Sequence, residues 1–117
     1  MCERSDRELL SDILESIQRI SEYLTGFDYQ SFVNDTKTQD AVIRNLEILG
    51  EATKRLSQEF RTTYAAVPWK SMAGARDRLI HDYFGVNLDV VWQIVSVELP
   101  RVVEQLPSID SSGDDGS

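Results

Sequence analysis

Apolar residues recur every third or fourth position along most of this 117-residue chain, and no stretch alternates apolar with polar as a half-buried strand must. Residues 6–25 carry Leu10, Ile13, Ile17, Ile20 and Leu24 on one helical face. Ser5 followed by Glu8 forms a capping-box signal, and Gly26 suits a left-handed cap after the last turn. Thr36 and Gln39 repeat that signal and predict a long helix over 37–60, with Val42, Leu46, Leu49, Thr53, Leu56 and Phe60 inward. Gly50 inside it costs about 1 kcal/mol against alanine; a close approach by another helix would explain it, and chance nearly as well. Between these helices "FDYQSFVND" reads as a connector holding one short helical turn.

In the second half, "AAVPWKSM" restarts the chain, with Pro68 at the first position of a helix running through Ala75 towards Tyr83 and ended by Gly85. Asn87 or Asp89 caps a last helix to Leu106, with Leu88, Val91, Val95, Leu99, Val102 and Leu106 inward. Pro100 falls inside that helix and is expected to bend or break it, because it removes a backbone donor. The fold expected is all-α, an up-and-down bundle of four to five helices over residues 1–107. An acidic, disordered tail follows at 108–117; Asp110, Asp114 and Asp115 sit there among Gly and Ser, a poor setting for a metal.

The net charge of −8 argues against a general nucleic-acid binder. Its distribution is uneven. Residues 44–78 hold seven basic and four acidic groups, whereas 79–117 hold one basic and seven acidic. Lys54, Arg55 and Lys70 in the positive segment are candidate RNA-backbone contacts, although ordinary solvated surface is the simpler role; Lys54 and Arg55 can also pair with Glu51. Cys2 is the single cysteine, no apolar run approaches the roughly 20 residues of a membrane span, and "MCERSDRELL" lacks a signal-peptide core. These features predict a cytoplasmic protein without disulfide, metal or membrane.

The chemistry concentrates in "RDRLIHDYFG", residues 76–85, which contains the one histidine of the chain, His81. An isolated histidine on a helix is most often a surface residue, but its neighbours here change the odds. Asp77 lies four residues before His81 and can orient the imidazole. Arg78 can pair with Asp82 and is left outside the catalytic set. Arg76 can hold phosphate oxygens in a fork of two hydrogen bonds, and His81 can move protons near neutral pH. Five residues on a helix turn through about 140°, so Arg76 and His81 of one straight helix cannot both face one small target. RNA cleavage by the ribose 2′-hydroxyl also needs a base and an acid together, which one imidazole cannot supply. A two-fold dimer with these segments at its seam removes both objections. Trp69 and Trp92 read as core or seam anchors rather than base-stacking platforms.

"RDRLIHDYFGV", followed by "VVW" and "ELP", resembles the HepT-like toxins of the HEPN superfamily of small helical ribonucleases, over roughly residues 8–107. The family signature of Arg, four residues, His, one residue, Tyr is complete as Arg76, His81 and Tyr83, while Asp77 stands where asparagine is more usual. The resemblance implies an HEPN-like fold and a homodimeric, metal-independent endoribonuclease toxin using Arg76 and His81 from both chains. It implies too a minimal nucleotidyltransferase antitoxin (MntA-like) that moves AMP from ATP onto Tyr83, ATP being the partner's substrate and no cofactor being needed by the toxin itself. The acidity points to a restricted, structured RNA such as tRNA. The competing readings are a catalytically silent module that binds nucleotide or docks on a partner, and a plain helical oligomerisation domain.

Overall fold

Ser5 begins the first helix as expected: its hydroxyl accepts from the Glu8 N–H at 3.1 Å while the Glu8 carboxylate accepts from the Ser5 N–H at 2.9 Å. That reciprocal pair holds the Glu8 carboxyl below its usual range, first through the backbone N–H of Ser5. In the computed structural model, which describes residues 4–75, 78 and 87–106, helix α1 spans Asp6–Tyr23. The chain leaves it through Gly26, whose φ of +82° is the conformation that favours glycine. Helix α2, Tyr29–Val33, is the short turn expected in the connector, capped by Asp28.

Helix α3, Thr36–Arg55, corrects two details of the sequence reading. Its cap is Asp35, whose carboxylate accepts from the Thr38 N–H at 3.0 Å, and not Thr36. Gln39 spends its amide on the Phe32 and Val33 carbonyls, both at 2.9 Å, so it closes the end of α2 instead of completing a box. The helix also stops at Arg55 instead of reaching residue 60. Leu56 turns extended, and Ser57 caps a separate helix α4, Gln58–Thr63. Asp6 explains the break: its carboxylate accepts from the Ser57 N–H at 2.9 Å and from its hydroxyl at 2.7 Å. This bond ties the start of α1 to the end of α3, so the two long helices run antiparallel. Phe60, expected in the stripe, is only half-buried and stacks with Tyr64 and Trp69.

Pro68 is the cap of helix α5, Trp69–Ala73, and not its first residue, so the helix begins one residue later than expected. Trp69 is buried and donates its indole N–H to the Tyr64 carbonyl at 2.9 Å, as an anchor should. Asn87 caps helix α6, Leu88–Gln93, which passes through a π-turn at Ile94–Glu98 and continues helically over 99–106. Pro100 therefore does not break the helix. The wide turn ahead of it, where the Leu99 N–H reaches the Ile94 carbonyl, accommodates a residue that cannot donate to a carbonyl four back. One core joins Ile13, Ile17 and Ile20 of α1, Val42, Leu46 and Leu49 of α3, and Val91, Val95, Leu99, Val102 and Leu106 from Leu88 onward. Among the described residues there is no strand, and the all-α expectation holds. The expected tail, 108–117, lies outside the described residues.

Gly50 does have a close helical neighbour, one of the two explanations the sequence left open. A β-carbon there would stand 3.4 Å from the Met72 carbonyl oxygen and 3.7 Å from that of Ala73, where α5 packs on α3. Those are ordinary contacts for one methyl group and leave no room for more. Gly50→Ala is therefore expected to be neutral or to stabilise by up to about 1 kcal/mol through helix propensity. Gly50→Val should lose about 1–3 kcal/mol by overpacking. Urea midpoints of the two variants check this; a stable valine variant would mean that α5 is not seated on α3.

Candidate active site

Arg76, Asp77, His81 and Tyr83, as well as Gly85, lie outside the described residues. The structure does describe how the chain is held on either side of them. Before the segment, α5 ends at Ala73 with Gly74 as its cap, short of the run through Ala75 expected from the sequence, and Ala75 is buried. The Arg78 N–H then donates to the Gly74 carbonyl at 3.1 Å, an i to i−4 bond. The Arg78 side chain leaves its own segment: its two terminal nitrogens donate to the two oxygens of Glu98 at 2.8 and 2.7 Å, and one reaches the Ser71 hydroxyl at 3.2 Å. Asp82, the local partner considered from the sequence, lies outside the described residues; among them Arg78 clamps onto the π-turn. Glu98 is held below the usual carboxylate range, chiefly by the hydrogen bonds from Arg78, and the guanidinium is raised by the same bonds.

After the segment, the Asn87 amide oxygen accepts from the Asp89 and Val90 N–H groups at 3.0 and 3.2 Å, fixing the first turn of α6. The Tyr29 hydroxyl donates to Asp89, a bond that holds its proton more tightly than in an ordinary phenol and raises its pKa. Trp92 packs against Tyr29 and Phe32, with ring centroids 5.8 and 5.4 Å apart. It serves as an anchor, as expected of it. The short helix α2 thus braces the turn into which residues 76–86 lead. Sequence reasoning missed Glu98, Ser71 and Asp89, since all act on partners seven to sixty residues away. No periodicity signals such pairs.

Lys54 and Arg55 are exposed in the last turn of α3, where cations favour the negative end of the helix dipole, and Lys70 is exposed in the first turn of α5. Among the described residues none of the three forms a salt bridge, so the expected pairing with Glu51 is not made. Also among the described residues, no cluster of three or more His, Cys, Asp or Glu stands ready for a metal, and no helix is long and apolar enough to cross a membrane.

The sequence was compared with known proteins. Residues 13–109 match the family model described as Ribonuclease HepT-like, a span that contains every motif residue. A Methanocaldococcus jannaschii protein named "Putative RNase MJ0127" is 42% identical over 98% of this chain and 97% of its own. "Probable ribonuclease HepT" of Thermococcus cleftensis is 44% identical over 85% of this chain and 90% of its own. "Putative RNase TTE0752" of Caldanaerobacter subterraneus subsp. tengcongensis is 41% identical over 91% of this chain and 95% of its own. No solved structure matches. With a family model covering most of the chain and relatives of this identity along nearly their whole length, the chain belongs to the HepT-like ribonuclease family.

Proposed function

We propose that two copies of this HepT-like ribonuclease form one cleft that cuts RNA without a metal, as the toxin of a toxin–antitoxin pair. An imidazole from one His81 takes the proton of a ribose 2′-hydroxyl, whose oxygen attacks the adjacent phosphorus. The other His81 protonates the departing 5′-oxygen, so the products are a 2′,3′-cyclic phosphate and a free 5′-hydroxyl. Arg76 holds the phosphate oxygens as charge grows on them, and Asp77 orients the imidazole. Lys54, Arg55 and Lys70 steer the RNA backbone. The reading is carried by the family match over 13–109, within which Arg76, His81 and Tyr83 stand at the family spacing. A formal charge of −8 on each chain makes general RNA attraction poor, which favours a restricted, structured target such as tRNA.

Silencing follows from the third motif residue. A minimal nucleotidyltransferase antitoxin joins the Tyr83 oxygen to the α-phosphorus of ATP; pyrophosphate leaves and the phenolic proton is lost. Each AMP adds a negative phosphate and a base beside Arg76, where they compete with RNA. Co-production with a minimal nucleotidyltransferase of this kind is expected to raise the intact mass in steps of one AMP, to map the modification to Tyr83, and to stop RNA cleavage. The unmodified protein should cleave in EDTA. An unchanged mass together with full inhibition would show that the antitoxin acts by docking; loss of cleavage in EDTA would overturn the metal-free chemistry.

A further inference from the structure

The proposed chemistry gives Arg78 no part, yet Arg78 is the described residue that joins the motif segment to the rest of the fold. It stands two positions after Arg76 and three before His81 along the chain. Its guanidinium makes three hydrogen bonds, two to Glu98 and one to Ser71, while its backbone N–H binds Gly74. It therefore ties together α5, its own helical turn and the π-turn of α6. The pair is about one-third exposed, 36% for Arg78 and 31% for Glu98. On its inner side lie Leu49, Met72, Ile94, Leu99 and Val102.

Such a pair adds little to stability: partly exposed ion pairs contribute about 0.2–1 kcal/mol. Its geometry is more than a stability role requires. Two parallel N–H···O bonds fix the plane and direction of the guanidinium, which a lysine ammonium cannot do. Glu98 also closes a π-turn, an insertion that recurs at functional sites because it redirects a side chain at a cost in helix geometry.

Resting on the ribonuclease reading above, we propose that Arg78 is a positioning residue, locked by Glu98 and Ser71 so that Arg76 and His81 keep their places in the cleft. A displacement of about 1 Å in a reacting group costs on the order of a hundredfold in rate, so a weak clamp in energy is a strong one in catalysis.

The test uses the full-length chain and exploits its single histidine, which gives one set of imidazole NMR signals. Arg78→Lys, Glu98→Gln and the exchange Arg78→Glu with Glu98→Arg are compared at one pH with Glu15→Gln, which breaks the remote Arg19–Glu15 pair. Arg78→Lys and Glu98→Gln are expected to move the His81 signals and lower kcat by about 10- to 100-fold with KM within about twofold. Glu15→Gln should do neither, and the exchange should recover part of the loss. If the exchanged pair does not fold, the near-isosteric Glu98→Gln decides alone. His81 signals that coincide with wild type, or an unchanged kcat per folded molecule, would overturn the clamp. Should the wild type cleave no RNA, the ribonuclease reading falls, and the imidazole signals still decide whether Arg78 positions His81.

Discussion

His81→Ala is expected to lower RNA cleavage by about 10³- to 10⁴-fold while leaving the fold and the oligomer intact. A positioned acid or base contributes about 10²- to 10⁴-fold, and in a two-fold cleft one substitution removes both imidazoles. Arg76→Ala should cost about 10²- to 10³-fold, the usual loss when one donor to a developing oxyanion is removed. Neither effect should appear in thermal unfolding if both side chains serve the cleft and not the core. Single-turnover cleavage of a defined RNA, with native mass spectrometry of the same samples, measures activity and assembly together. Mixing wild-type with inactive chains gives a sharper result: a wild-type chain paired with a His81→Ala chain retains both guanidiniums but only one imidazole at the seam. Such mixed dimers are expected to lose most of their cleavage if the cleft is shared and needs an imidazole from each chain. Full activity of His81→Ala, or a monomer that cleaves as well as any mixture, would end the composite-cleft reading.

The residues that carry this chemistry were legible because they form a local pattern: Arg76, His81 and Tyr83 identify themselves by order and spacing alone. The same locality made the caps at Ser5 and Asn87 readable, together with the inward faces of α1 and α6 and the contact at Gly50. Where the sequence misled, a partner far along the chain had intervened. Asp6, fifty-one residues before Ser57, ties down the turn that ends α3. Gln39 turned back to α2 instead of serving the cap of its own helix. Arg78 binds an acid twenty residues away, a pairing that no helix spacing points to. Pro100 was read from its missing donor, and the π-turn that accommodates it depends on packing that no periodicity reveals. Helix-scale chemistry was readable, and the non-local polar bonds that frame the site were not.

Those bonds are supported by an apolar one whose loss should be the largest stability effect in the described structure. Phe32 has no exposed surface, although it sits on a helix of only five residues. Isolated helices of that length do not persist in water, so α2 is held in place by its tertiary contacts, Phe32 above all. Truncating a buried phenylalanine costs about 3–5 kcal/mol through lost transfer energy and the cavity left behind. Against a total of about 5–15 kcal/mol for a domain, that is a large share. Phe32→Ala is expected to lower Tm by roughly 10–20 °C at fixed protomer concentration, because any dimer couples stability to concentration. Tyr29→Phe, on the same short helix, removes only an exposed hydroxyl bond to Asp89 and should cost no more than about 1 kcal/mol. Phe32→Leu, which refills most of the volume, should fall between them. The order matters more than any one value: Phe32 reaches Trp92, and Trp92 lies in the turn entered directly after residues 76–86. An alanine variant as stable as Tyr29→Phe would mean that α2 does not brace α6, and the far side of the candidate site would lose its described support.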